Sequence, residues 1–392
     1  MRDLSHLTVL ELSTSPGPAF AANLLADFGA RVIVVEAPPL GSALRRLGPP
    51  AVQQVWWPII ARNKLSVALD AEHEDAGFVI GEALRHADIV IRDDAASVWM
   101  EAACAMPAPP LDLHIFPTGA DRPEEWGASI RPEFAVAASG AMALTGDPDC
   151  PPVQPEFPLA DYSAGMLAAA GALLELAAAA KAPRQPASLE VGLHEALMRM
   201  NEWQLVIAAA KGAAEQRSGN RYPMNANIGN IFRTGDGGLI TISAATASVA
   251  DRLLDLIGGQ ALREDPRFNT YQGRRENMDA LELVIADWML RHGTDDILAM
   301  GRAHDVVMAP IFDARRLRQD AQAQARGNIC EVPLSGGGSI AMPGIVPAMT
   351  GVTGAIRHAG PEIGADTDAV LASFGVPAAR IAALRHGGAI WR

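Results

Sequence analysis

The chain is predicted to fold as an α/β protein with a doubly wound sheet and a second, smaller α+β domain. Three observations predict it: short, wholly apolar runs bounded by turns, helix-length segments between successive runs, and a return of strand-like sequence near the C-terminus. At 392 residues the chain has room for two domains of about 100–200 residues each, and 49% hydrophobic content is enough to build their cores.

The first strand is read from "LTVLELS" (7–13), followed by a helix over "AFAANLLADFGA" (19–30) and a second strand, "RVIVVEA" (31–37). Two buried strands flanking one helix imply a parallel pair joined by a right-handed crossover. Glu36 at the end of the second strand invites a dinucleotide site, but the turn "STSPGPA" lacks the GxGxxG pattern that lets a backbone approach a pyrophosphate. The sheet is kept and the dinucleotide dropped. Further strands are read at "LSVALD" (65–70) and "ADIVIRD" (87–93), with a helix over "AGFVIGEALRH" between them.

Residues 94–131 are proline-rich and carry no assignable period; "FAVAASGAMALTG" (134–146) reads as a helix closing on a glycine turn. "FPLADYSAGMLAAAGALLELAAAAK" (157–181) is a long Ala/Leu helix with Asp161 at its mouth, and "ASLEVGLHEALMRMNEWQLVIAAAKG" begins as a strand and becomes a second long helix. From residue 218 a polar Gly/Asn loop precedes "IFRTGDGGLITISA", two strands around a glycine-rich turn, with helices expected over 247–258 and 276–302. The tail offers the strand-like "GSIAMPGIVPAM" and a helix at 366–374. Residues 1–200 and 320–392 are expected to form the large domain and 222–312 the small one, with 201–221 and 313–319 as linkers.

A net charge of -13 excludes nonspecific binding to nucleic acid or anionic membrane, which needs clustered Lys/Arg. Cys104, Cys150 and Cys330 are scattered and odd in number, so neither a disulfide framework nor a zinc site is implied. With no signal-peptide pattern at "MRDLSHLTVLEL", a cytoplasmic protein is expected. The apolar run 164–180 contains Glu175 and falls short of the ~20 residues of a spanning helix, so a buried helix is expected there.

Asp161 has two readings, a cap that satisfies orphaned N–H groups or a chemical group. Other motifs point nowhere: His194-Glu195 is followed by Met198 where a zinc-protease helix needs a second His, "SGGGS" (335–339) lacks the Lys-Ser/Thr of a P-loop, and Ser139 lacks a GxSxG elbow.

Taken together, "LTVLELSTSPGPAFAANLLADFGARVIVVEAP", "RNKLSVALD", "SGAMALTGDPDCPPVQPEFPLADYSAGMLAA", "SGNRYP", "FRTGDGGLITISA", "DPRFNTYQGRRENMDAL", "DVVMAPIFD" and "GPEIGADTDAVLASFG" resemble, in order, segments of the class III CoA transferases, the formyl-CoA transferase, carnitine-CoA transferase and acyl-CoA racemase group. The resemblance implies a Rossmann-like large domain built from both chain ends and an interlocked homodimer. It implies transfer of coenzyme A between carboxylic acids, with Asp161 as covalent carrier and Glu133 beside it. Acyl-CoA and a free carboxylic acid would be the substrates, with no tightly bound cofactor and no metal. The turn from Ser15 and Pro16 to Pro18 would set backbone groups near the thioester, Arg45 and Lys64 would lie near the CoA phosphates, and Asn220 would belong to a flap. The family's Asn-Phe-Arg turn is replaced here by "RDDAASVW", in which Asp93 and Asp94 would repel phosphate. Racemase members carry a histidine in the segment matching 127–134, whereas this chain has "GASIRPEF", which favours transferase over 2-methylacyl-CoA racemase. A catalytically impaired paralogue acting as a binding partner is the third reading.

Overall fold

Successive side chains of the first five strands, buried on both faces, point to opposite sides and build a core on each side of one sheet. The computed structural model describes residues 3–48, 53–102, 111–119, 132–180, 186–221, 228–352 and 354–392. Contacts group the chain into two units, Met1–Ala141 with Gln154–Ala210 and Gln324–Arg392, and Met142–Val153 with Lys211–Ala323.

In the first unit the strands are β1 (Thr8–Leu12), β2 (Arg31–Glu36), β3 (Lys64–Leu69), β4 (Ile89–Arg92), β5 (Leu111–Phe116) and β6 (Ala187–Gly192). They pair in parallel, and the last strand of the chain, β12 (Ile390–Trp391), pairs antiparallel with β3 at one edge, giving the order β12-β3-β2-β1-β4-β5-β6. Leu10, Leu12, Ile33, Val35, Val67 and Leu69 face one side, where they bury Val79, Ile80 and Leu84 of the helix Ala76–His86 and Val370, Phe374 and Leu384 of the two C-terminal helices. Each such side chain contributes about 1.5–3 kcal/mol by leaving water. Val34 points to the opposite side with Ala19, Trp57 and Ile60. On that side the helix Pro16–Asp27 packs along Leu159–Ala179 in the most extensive helix–helix contact among the described residues.

Sheet order reverses direction between β1 and β4, whose C-terminal ends therefore bound a crevice; open α/β sheets bind ligands at such a switch point. β5 lies in the stretch to which the sequence assigned no element. The tail segment read as strand-like does not enter the large sheet. It forms a separate hairpin of β10 (Ile329–Pro333) and β11 (Ser339–Pro343), and "SGGGS" is its turn.

In the second unit β7 (Ile228–Arg233), β8 (Leu239–Ala244) and β9 (Met308–Pro310) form an antiparallel sheet. Phe232, Ile240 and Ile242 pack on Leu253, Leu281, Ile285 and Ile297 of the helices Ala247–Arg263, Met278–Met289 and Thr294–Ala303. Helices expected as single pieces are divided. Gly293 starts a new helix inside 276–302, Asn201 separates Leu193–Met200 from Glu202–Lys211, and the helix expected over 134–146 ends at Ala138, two residues before Gly140 with φ 82°. A left-handed residue cannot continue a right-handed helix.

Candidate active site

The turn after β1 reads Ser15-Pro16-Gly17-Pro18, and Ser15 is the extended N-cap of the helix Pro16–Asp27. Proline suits the first helical position because its missing N–H is an orphan there anyway. Of the first three helical residues only Gly17 has an N–H, and it donates to Asp161 Oδ1 at 3.3 Å.

Asp161 is the third residue of the helix Leu159–Ala179, whose N-cap is Pro158. The acid is thus within the first turn rather than at the cap, and its carboxylate takes the orphaned donor of a neighbouring helix. Two helix N-termini, each with partial positive charge, converge on it. Their approach depends on Gly165, where a Cβ would lie 2.6 Å from the Gly17 carbonyl oxygen, and on the buried Ala164, Ala168 and Ala172.

Asp161 is 6% exposed. Burial pushes its carboxyl up to about 6, and the charge of Glu133 adds to the rise; the Gly17 N–H and its own N–H oppose it. Tyr162, next along the helix, packs with Phe20, the centroids 4.3 Å apart, and stacks on Trp56 at 6.4 Å, all three lying against the apolar cluster of Ala19, Trp57 and Ile60. Burial, then the Asp161 charge, raises the Tyr162 phenol to about 12. A buried, ionisable carboxylate with one N–H aimed at its oxygen suits nucleophilic acyl chemistry.

The model of CoA-transferase family III matches residues 4–103 and 132–367. The chain belongs to this family. Succinyl-CoA–D-citramalate CoA-transferase of Chloroflexus aurantiacus is 30% identical over 371 residues, covering 93% of this chain and 92% of that one. Succinate–glutarate CoA-transferase of Agrobacterium fabrum is 25% identical over 355 residues, covering 87% and 88%. The crystal structure of a CAIB/BAIF family protein from Brucella suis superimposes with a TM-score of 0.82 at 23% identity, covering 95% of this chain and 99% of that one.

Among the expected site residues of this family III chain, the structure brings Ser15, Pro16, Glu133 and Asp161 together. Glu133 is an exposed residue in the first turn of Pro132–Ala138, and its charge acts on Asp161. Lys64, expected near the CoA phosphates, is 1% exposed, and its ammonium donates to Glu11 Oε2 at 2.7 Å and to the Ala19 carbonyl at 2.8 Å, a buried pair rather than an open cation. Arg45 is likewise neutralised by a bidentate pair with Glu36 at 2.6 and 2.7 Å and lies over the Trp57 ring at 3.9 Å. It still borders a cleft of about 350 Å³ with Ser335, Gly336 and Glu362. Asn220 is exposed in the second unit, while the loop residues 222–227, like 120–131, lie outside the described residues. Sequence reading included Gly17 in the turn at the site but did not single out its N–H as the donor to Asp161. Its signal was present, since SPGP after a buried strand leaves a single N–H at the helix mouth.

Proposed function

We propose that this protein transfers coenzyme A between carboxylic acids through covalent intermediates on Asp161. The observation that carries the reading is the buried Asp161 carboxylate with the Gly17 N–H on one of its oxygens. With a pKa of about 6 it is mostly ionised at pH 7 yet more basic than an ordinary carboxylate.

In the first step Asp161 attacks the thioester carbonyl of the donor, the C–S bond breaks, and a mixed anhydride and CoA thiolate result. The thiolate then attacks Cγ of Asp161, releasing the donor acid and leaving an aspartyl thioester. Gly17 already donates to Oδ1, the oxygen that carries the negative charge of the tetrahedral adduct at Cγ, and this donor is preorganised. The acceptor carboxylate attacks the same Cγ and expels thiolate, which attacks the acceptor's acyl carbon. New acyl-CoA leaves and the Asp161 carboxylate is regenerated. Burial of Asp161 limits water, which would otherwise hydrolyse the anhydride.

Relatives named for succinyl-CoA, citramalate and glutarate support short dicarboxylic acids as the first substrates to try. Ser15 and Pro16 would place backbone beside the thioester, and Arg45 remains the candidate wall residue for the CoA end. Resemblance to the family also carries the interlocked homodimer, and exposed Leu174, Leu205 and Val206 on two helices of the first unit support a surface covered by a second copy.

Incubation with succinyl-CoA followed by borohydride or hydroxylamine is expected to modify Asp161, located by peptide mass spectrometry, and Asp161→Ala is expected to abolish both modification and turnover. Unchanged turnover in Asp161→Ala would overturn the reading.

A further inference from the structure

We infer that Asp93 is a positioning residue: by holding the Ser15 hydroxyl it frees the Gly17 N–H for Asp161. The inference rests on Asp161 being the reacting group.

Asp93 follows β4 at the switch point and is 6% exposed. Its Oδ2 accepts from Thr14 N at 2.8 Å, Ser15 N at 3.0 Å and Ser15 Oγ at 2.7 Å, with Thr14 Oγ1 at 3.4 Å. Its Oδ1 accepts from Ala95 N at 3.1 Å. The carboxylate therefore fills the anion cradle at this helix mouth, where the sequence suggested only repulsion of phosphate.

An N-cap serine ordinarily turns its oxygen inward to accept from the second or third helical N–H. Pro18 at the third position has none, so Gly17 is the sole target at those positions. Yet Ser15 makes no side-chain cap bond: its hydroxyl is turned toward Asp93, to which it donates, and that orientation keeps its oxygen off the Gly17 N–H. The Gly17 N–H is consequently left for Asp161. Without Asp93 the Ser15 hydroxyl rotates inward and competes with Asp161 for that proton.

The sign of the effect separates this role from simple charge removal. Losing the Gly17 donor raises the Asp161 pKa, whereas deleting a nearby negative charge lowers it. Titratable or charged groups facing Asp161 among the described residues are Glu133 on Pro132–Ala138 and Tyr162 on its own helix. Those near Asp93 include Asp94 in the same turn, His114 on β5, whose Nε2 is 3.2 Å from Asp94 Oδ1, and Arg92 at the end of β4, paired with Asp112 of β5 at 2.7 Å.

The test is a carbon-13 titration of the Asp161 carboxyl in the substrate-free protein. Asp93→Ala is expected to raise its pKa by about one unit, the equivalent of one charge-assisted hydrogen bond. Adding Ser15→Ala to that variant removes the competing hydroxyl and is expected to reverse most of the rise, which a merely structural defect would not allow. Asp93→Asn keeps one oxygen for the Ser15 hydroxyl and is expected to shift least; if Asp93→Ala does not fold, Asp93→Ser, too short to reach the turn, takes its place. An unchanged or lowered pKa, or a rise that Ser15→Ala leaves intact, would overturn the inference. Because the titration needs no turnover, a positive result beside failed trapping at Asp161 would reject the nucleophile alone, and trapping beside an unmoved titration would reject the positioning role alone.

Discussion

Asp161 holds its charge against the fold. Its folded value of about 6 lies above the 3.8 of a free carboxyl, so the folded state binds the proton more tightly, and ionisation above pH 6 destabilises it by about 3 kcal/mol relative to pH below 3.8. Asp161→Asn is therefore expected to raise the melting temperature at pH 7–8, with the gain shrinking below pH 6 and gone near pH 4, while turnover is lost. In the unsubstituted protein, kcat/KM is expected to fall on the acid side with an apparent pKa of about 6. Thermal scans and rate profiles across that range check both. Lys64 shows the opposite logic: burial drives its ammonium pKa down, and the Glu11 charge pulls it back. Lys64→Ala strands a buried carboxylate and is expected to destabilise by about 3–5 kcal/mol, whereas Lys64→Met with Glu11→Leu is expected to recover most of that. Chemical denaturation measures the difference, and a rise in KM for acyl-CoA in the stable double variant would restore Lys64 to the binding site.

At the scale of elements, the geometry of the candidate site is a matter of how closely two helices approach. A methyl group at Gly165 meets the Gly17 backbone, which cannot yield, while one at Gly171 meets only the flexible end of Leu189. Gly165→Ala is thus expected to cost about 1–3 kcal/mol and to lower kcat by moving the Gly17 N–H away from Asp161. Gly171→Ala is expected to leave kcat near its original value, so paired melting curves and rates separate packing from site geometry. The long Ala/Leu helix also corrects an expectation. It runs 21 residues and is apolar enough to cross a membrane by length and composition, but one face packs through small residues on Pro16–Asp27 while Leu174 on the other is 72% exposed. It is half a core helix, not a wholly buried one.

For the whole molecule, that uncovered face and Val206, 67% exposed on Glu202–Lys211, bear on assembly. Apolar side chains left this exposed are what a second copy would cover in the proposed dimer. Light scattering is expected to give a dimer, and Leu174→Arg with Val206→Arg is expected to weaken it; a monomer at micromolar concentration in the unsubstituted protein would remove the homodimer.

The strands β1 to β4 and the helix Ala76–His86 were legible because a buried parallel strand must be apolar throughout and a crossover helix must follow it, both local patterns. The Asp161 position was likewise legible, through the ordered motifs around it. β5 was not, because proline-rich flanks hide its period, and neither was the fate of the tail, because an apolar five-residue run does not state its partner. Side-chain chemistry was least legible of all. Lys64 and Asp93 read from sequence as a phosphate ligand and a phosphate repellent, and the packing of segments distant in sequence set Lys64 against Glu11 and Asp93 against Ser15. The sequence by itself determined which elements form and which carboxylate stands at a helix mouth, since those follow from neighbours along the chain. The tertiary structure decided which charges are spent in buried pairs and which N–H is left free for Asp161, since those depend on groups 53 to 144 residues apart being brought within hydrogen-bonding distance.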